Sequence, residues 1–479
     1  MTNESEALPS SFRDPSGFLF EREGTLCRQV NLIYRDHYDQ LLSSGLYKTL
    51  TEKGLLVRHD EADIPPPDPQ RAYKIIKPQV VSFISYPYEW CFTQLKEAAL
   101  AVLKIQKTAF EHKMSLKDAS AFNIQFVDGR PLLVDTLSFE KLQMRPWVAY
   151  RQFCQHFLNP LLLIAYKDFH LNQLSRVFID GIPMSLASRL LPFRTRLRPG
   201  LASHVHLHAL SQKYFSRREI RVRERRVRPV SLAGLVESLE SQVRNLTLRL
   251  KKTEWAEYYQ ETNYTPEEFE RKKNIVQEFL DVMQPDTVWD LGANIGIFSR
   301  LASRRGIPTV AFDADFIAVE LNHRECLGKN EKNLLPLVMD LTNPTPAIGW
   351  ENRERKSLLE RGPVDAAFAL ALLHHLAISN NLPLPKIAEF LSRICRWLAI
   401  EFVPKSDSQV RRLLSTREDI FDRYSRSDFE EQFRRFFLTV RIAPVEGTGR
   451  ILYLMKNRGS QQTSGHGKSE GVKEGAALR

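Results

Sequence analysis

The chain has only five cysteines in 479 residues: Cys27, Cys91, Cys154, Cys326 and Cys395. They are scattered, odd in number and never spaced C-x-x-C, which excludes a disulfide framework and argues against a structural zinc site. Such usage fits a reducing cytoplasm, and no bound metal is expected. Long apolar runs are also missing. No stretch reaches the roughly 18 uncharged apolar residues of a spanning helix, so no transmembrane segment is expected. The start, MTNESEALPSSF, lacks the charged-then-apolar layout of a secretory signal. No internal repeat is visible. What is present is ordinary globular material, 43% hydrophobic and 26% charged, enough for an ample core. At about 150 residues per domain the length implies two or three domains.

Residues 288–313 read VWDLGANIGIFSRLASRRGIPTVAFD. An apolar run ends in Asp290, followed by Gly292, Asn294 and Gly296, a helix-like stretch, a second apolar run, and Asp313. Glycines let the backbone turn sharply where a Cβ would clash, and a following helix would offer unpaired N–H groups. Asp313, at the end of the second strand, is placed to accept hydrogen bonds from ribose hydroxyls. The dinucleotide fingerprint G-x-G-x-x-G would need glycines at 292, 294 and 297, but Asn294 and Ile297 stand at two of them. The pattern present, D-x-G-x-N-x-G, resembles the first motif of class I S-adenosylmethionine-dependent methyltransferases, with Asn294 departing from the usual middle glycine.

Apolar runs alternating with helical patterns such as LPKIAEFLSRICRWL give the rhythm of a doubly wound α/β sheet. LPLVMDLTN ends a strand near Asp340, where the resembled family contacts the adenine amine. VDAAFALALLHHL, WLAIEFVP, FLTVRIAP and RILYLMKN resemble the fourth strand, the fifth strand and a closing antiparallel pair, giving a seven-stranded Rossmann-like domain over 263–457. The resemblance implies S-adenosyl-L-methionine as cofactor, held by Asp290, Gly292, Asn294, Gly296, Asp313 and Asp340. His374 and His375 follow the fourth strand and are candidate bases for a hydroxyl acceptor, since imidazole titrates near neutrality; either could equally be a satisfied helix-start histidine. Glu401, ending the fifth strand, is a further catalytic candidate that could instead bind substrate or pair with Arg or Lys.

The N-terminal half carries SLKDASAFNIQFVDGRPLLVDTLSF at 115–139. Asp118 and Asn123 stand five apart, and a hairpin turning at DGR delivers Asp135. These resemble the catalytic loop and metal-binding aspartate of the kinase and aminoglycoside-phosphotransferase-like superfamily. VVSFISYPYEW at 80–90 resembles the last N-lobe strand and hinge, and the next segment the long helix before the catalytic loop. No glycine-rich loop precedes them. Lys48, Lys53, Lys74 and Lys77 are candidate phosphate-pairing lysines, none in a V-A-I-K context. The resemblance implies an α+β, kinase-like and degenerate domain over 1–200, with Mg-ATP as its ligand were it competent.

Between the halves, 201–262 reads as a basic linker and an amphipathic helix. SRREIRVRERRVR at 216–228 contributes seven arginines to a chain of net charge +11, a strip suited to nucleic acid, an acidic glycan or anionic lipid, or to a solvated flank. His204, His206 and His208 would share one face of a strand as a metal comb, or be ordinary surface histidines. Leu232, Val236, Leu239, Val243, Leu246 and Leu250 step by four and three along a helix. Residues 458–479 are a polar tail expected to be disordered. The ordered whole, including W-A-E-Y-Y at 255–259, resembles the nodulation-protein-like (NoeA-type) methyltransferases. That implies O-methylation of a glycan or other small molecule. A bifunctional or kinase-like ATP-binding protein, and an RNA- or protein-binding module using the arginine strip, are the alternatives.

Overall fold

The structure is a computed structural model and describes residues 7–215, 226–248, 264–415 and 418–461. The described residues form two compact units, those of Met1–Tyr258 with Phe312–Arg361 and those of Tyr259–Ala311 with Gly362–Arg479.

The first unit begins with an antiparallel sheet of β1 (Gly17–Arg22), β2 (Thr25–Asn31), β3 (His59–Glu61) and β4 (Ala72–Pro78), in the order β1-β2-β4-β3. Glu23 and Gly24, both at positive φ, make the two-residue turn that suits right-twisted strands. The last strand of this sheet ends at Pro78, so the expected strand over 80–90 is absent; that segment is an extended loop with a single 3-10 turn, Pro87–Glu89. The expected long helix follows at Phe92–Glu111. β5 (Met114–Leu116) pairs with β8 (Phe139–Lys141), and β6 (Ile124–Val127) with β7 (Arg130–Leu133). Asp128 and Gly129 turn the latter hairpin at φ 50° and 73°.

Short helices fill 150–215, and the helix Pro229–Arg244 packs on Phe92–Glu111. Its buried face is Leu232, Val236, Leu239 and Val243, with Leu246 just beyond. Lys107 pairs with Glu240 at 2.5 Å. His204, His206 and His208 do not lie on a strand. They wind through a π-helical turn, Ala202–Leu207, and into the next helix. His204 is buried between Tyr150 Oη and Ser238 Oγ, both at 2.9 Å. His206 is buried between Ser188 Oγ at 2.8 Å and Thr195 Oγ1 at 2.9 Å. With both ring nitrogens occupied by hydroxyls, neither is a metal ligand or a surface histidine.

Phe312–Arg361 belongs to this unit through specific polar anchors. Thr93 N and Oγ1 donate to Glu320 at 2.9 and 2.5 Å, and Gln94 Nε2 donates to Pro336 O at 2.9 Å. His323 meets Glu97 at 2.8 Å. Arg361, buried, donates to both oxygens of buried Glu89 at 2.9 and 2.6 Å and lies over the rings of Phe83 and Tyr86.

The chain's large sheet comprises β9 (Val288–Leu291), β10 (Thr309–Asp313), β11 (Leu334–Val338), β12 (Val364–Ala369), β13 (Cys395–Phe402), β14 (Phe437–Pro444) and β15 (Ile451–Asn457), in the order β11-β10-β9-β12-β13-β15-β14. β12 runs parallel to β9 and β13, and β15 antiparallel to β13 and β14. All seven strands match the apolar runs read from the sequence. Chain order reverses direction on either side of β9, a topological switch point. Within the second unit, the helix Pro266–Met283 starts on a capping box in which Thr265 Oγ1 accepts from Glu268 N and Glu268 accepts from Thr265 N. Val276, Phe279 and Leu280 of this helix join Val288, Phe368, Ala399 and Leu452 in the core.

The strip over 216–225, W-A-E-Y-Y and the tail beyond 461 fall outside the described residues, as does Leu250.

Candidate functional site

β9 runs straight into a tight bend. Gly292, Asn294 and Gly296 have φ of 76°, 51° and 78°, so every second residue takes the left-handed conformation that a Cβ disfavours. Asparagine tolerates this region better than other side chains, which accounts for Asn294 where a glycine is usual. A Cβ on Gly292 would stand 3.1 Å from Leu372 Cδ1. Asp290 is buried and accepts from Ser299 Oγ at 2.6 Å. Asn294 Oδ1 accepts from Ile295 N, and Arg300 Nη1 donates to Ile295 O at 2.6 Å. The helix after the bend is Ser299–Ser303 alone. The backbone of the bend, rather than a long helix terminus, is therefore the feature a ligand would meet.

In the first unit, Asp313 closes β10 half-buried. Its Oδ1 accepts from Asp315 N at 2.8 Å and its carbonyl from Met339 N at 2.7 Å. Asp340 lies two residues past β11, exposed, with Oδ1 accepting from Thr342 N at 2.8 Å and Thr342 Oγ1 at 2.7 Å. Thr345, after this turn, bonds to Glu89.

The loop after β12 holds the histidines. Ala371, a non-glycine, sits at φ 51°, which costs about 1–2 kcal/mol. His374 is 0% exposed, and neither ring nitrogen has a hydrogen-bond partner among the described residues. Burial, then His375 and Arg450, hold its pKa well below the usual imidazole value. His375 is half-buried and pushed down to about 4 by burial and by Arg450.

Glu401, fully buried, accepts from Tyr264 Oη and Lys272 Nζ, each at 2.5 Å, from Ala371 N at 2.7 Å and from Arg450 Nη1 at 3.5 Å. Burial raises its pKa, but Lys272 and Arg450 outweigh that and hold it at about 2. Arg450 is fixed in turn by Asp407 at 2.8 and 3.2 Å. The carboxylate is ionised and saturated with donors, and so is badly placed to take a substrate proton. Nothing in the spacing of Tyr264, Lys272 and Arg450 announced this network; the one sequence signal was a lone acid ending an apolar strand.

The kinase-like residues meet in the first unit. Asp118 Oδ1 accepts from Ser120 N at 2.9 Å and Gln152 Nε2 at 2.8 Å. Burial and the charge of Asp135 push its pKa up. Asn123 closes a 3-10 turn, its N–H on Ser120 O and its carbonyl accepting from Val134 N. Asp135 Oδ1 accepts from Leu137 N at 2.9 Å and pairs with Arg28 Nη1 at 2.6 Å. Of the lysines singled out from the sequence, Lys74 pairs with Glu61 and Lys48 with Glu52. Arg28, on β2, is the cation that reaches Asp135, and the sequence reading missed it. A magnesium–triphosphate needs carboxylate oxygens open to the ion. Here Oδ1 of each aspartate is already occupied, and Arg28 neutralises the charge of Asp135, which weakens the set as a magnesium site.

No protein-family model matches the chain. Among solved structures, the chain is similar to the bifunctional kinase-methyltransferase WbdD, at 17% identity over 40% of this chain and 39% of that one, TM-score 0.27. It is similar to a SAM-dependent methyltransferase from Aquifex aeolicus at 18%, 43% and 98%, TM-score 0.31. It is similar to the magnesium protoporphyrin IX methyltransferase from Synechocystis PCC 6803 at 15%, 42% and 93%, TM-score 0.30. Nodulation protein NoeA of Rhizobium meliloti (strain 1021) is 32% identical over 458 residues, covering 93% of this chain and 95% of that protein. With that identity along nearly its whole length, the chain belongs to the NoeA family of nodulation proteins.

Proposed function

We propose that the chain is an S-adenosylmethionine-dependent methyltransferase acting on a hydroxyl of a glycan or other small molecule. The observation that carries this reading is the left-handed bend of Gly292, Asn294 and Gly296 directly after β9, at the switch point of the sheet, where ligands of such sheets bind. Residues 263–457, which hold all seven strands, are the proposed methyltransferase region, and 1–200 a degenerate kinase-like one.

Asp290, Gly292, Asn294 and Gly296 would hold the methionyl end, Asp313 the ribose and Asp340 the adenine amine. The sulfonium cofactor supplies an electrophilic methyl group. The protein's share is alignment for in-line attack and a proton acceptor. His375 is neutral at physiological pH, so its ring can accept rather than donate a proton from an acceptor hydroxyl. His374, neutral and wholly enclosed, backs it at 4.2 Å between ring centroids. No phosphoryl-transfer step is assigned to Asp118, Asn123 and Asp135, because Arg28 already neutralises Asp135. All five cysteines are free and buried, in keeping with a cytoplasmic enzyme. No described helix is long and apolar enough to cross a membrane.

Calorimetry with S-adenosylmethionine, S-adenosylhomocysteine and Mg-ATP tests the reading. Binding of the first two is expected, weakened about 10- to 100-fold in Asp313→Ala by loss of a charge-assisted hydrogen bond. No binding to the wild type, or an unaffected variant, would overturn it.

A further inference from the structure

Glu401 is the hub of the buried network in the second unit, and one of its four donors is a backbone group. We propose that Glu401 is a positioning residue: by holding the Ala371 N–H it fixes the left-handed turn after β12 and so seats Leu372 against Gly292, shaping the donor-binding bend. This rests on the methyltransferase reading above.

Four observations converge. Ala371 stands at φ 51°, a conformation that persists in a non-glycine only when its surroundings over-determine it. Its N–H donates to Glu401 Oε2 at 2.7 Å. That carboxylate cannot swing aside, because Lys272 and Tyr264 grip it at 2.5 Å each and Arg450, itself held by Asp407, closes the far side. The next residue, Leu372, lies where any Cβ on Gly292 would press at 3.1 Å, and its carbonyl accepts from His375 N at 3.0 Å. A force on the carboxylate is therefore passed through two residues to the glycine bend on one side and to the histidine turn on the other. The anchors Tyr264 and Lys272 come from the start of the unit and Arg450 from its end, so the turn is set only when the whole unit has closed.

The experiment is a titration of S-adenosylhomocysteine into full-length wild type, Glu401→Gln, Ala371→Gly and the double variant. Gln keeps the shape but loses the charge that collects the donors. It is expected to weaken binding about tenfold or more. Ala371→Gly removes the steric cost of the left-handed turn. It is expected to bind within about twofold of wild type alone and to recover most of the loss when combined with Glu401→Gln. A merely destabilising role for Glu401 would show no such rescue.

Unchanged binding in Glu401→Gln, or no recovery in the double variant, overturns the proposal. Hydrogen exchange on the wild type covers the case in which Glu401→Gln does not fold. The Ala371 amide should be strongly protected, and exchange at the rate of an open loop overturns the proposal equally. If the wild type binds no S-adenosylhomocysteine while Ala371 is protected, it is the methyltransferase reading that fails.

Discussion

At the scale of single residues, His374 is sensitive to acid although it is shut off from water. Its ring is neutral in the folded protein because burial and the neighbouring cations oppose charging. In the unfolded chain it titrates near 6.5. Below that pH the unfolded chain takes up a proton that the folded one refuses. Stability is therefore complete above about pH 6.5 and falls with acid, at about 1.4 kcal/mol per pH unit for each such group. His375, folded at about 4, adds to the same window. Glu401 acts lower: held at about 2 against an ordinary 4.5, it keeps its contribution above pH 4.5 and loses it from there toward 2. Thermal melts between pH 7.5 and 5.5 should show a smaller fall for His374→Gln than for wild type, and parallel curves would refute this. The bend after β9 was legible at this scale because glycine and asparagine are the residues that left-handed backbone selects. The Glu401 cluster was not, since its members lie far apart in the chain and only the fold brings them together.

Among elements, the helix Pro229–Arg244 was readable because Leu232, Val236, Leu239 and Val243 step at helical spacing and all four are buried as that spacing requires. Leu239, 0% exposed, lies at the middle of that face. Leu239→Ala should destabilise the first unit by about 2–5 kcal/mol, the lost transfer energy plus a cavity, read by denaturant unfolding. The three histidines at 204–208 misled for a physical reason. An i, i+2 alternation is what a strand face would show, but the surrounding chain is helical, where 204 and 208 share a side. There His204 bonds to Tyr150, and His208 stacks on the same ring at 5.0 Å. The hairpin at Asp128–Gly129 was predictable from its turn residues, whereas Arg28 was one basic residue in a strand, with nothing local to mark its partner 107 positions on.

For the whole molecule, the compact units do not follow chain order: Phe312–Arg361 groups with the N-terminal residues. Boundaries drawn along a sequence have no means of registering this, because the anchors are single side chains hundreds of positions apart. One of them is Glu89 with Arg361, both nearly inaccessible. Glu89→Ala would leave the Arg361 guanidinium buried without its counter-charge. It should destabilise the protein by about 3–5 kcal/mol, and Glu89→Ala combined with Arg361→Met should recover part of that loss in the same unfolding measurement. An additive double variant would show that the pair is not coupled.

The ion pair of Arg28 with Asp135 constrains how this lineage can drift. Losing the arginine alone strands a carboxylate beside Asp118, and losing the aspartate alone strands a buried guanidinium, so each single step is penalised. Positions 28 and 135 are consequently expected to change together across relatives, as a locked couple.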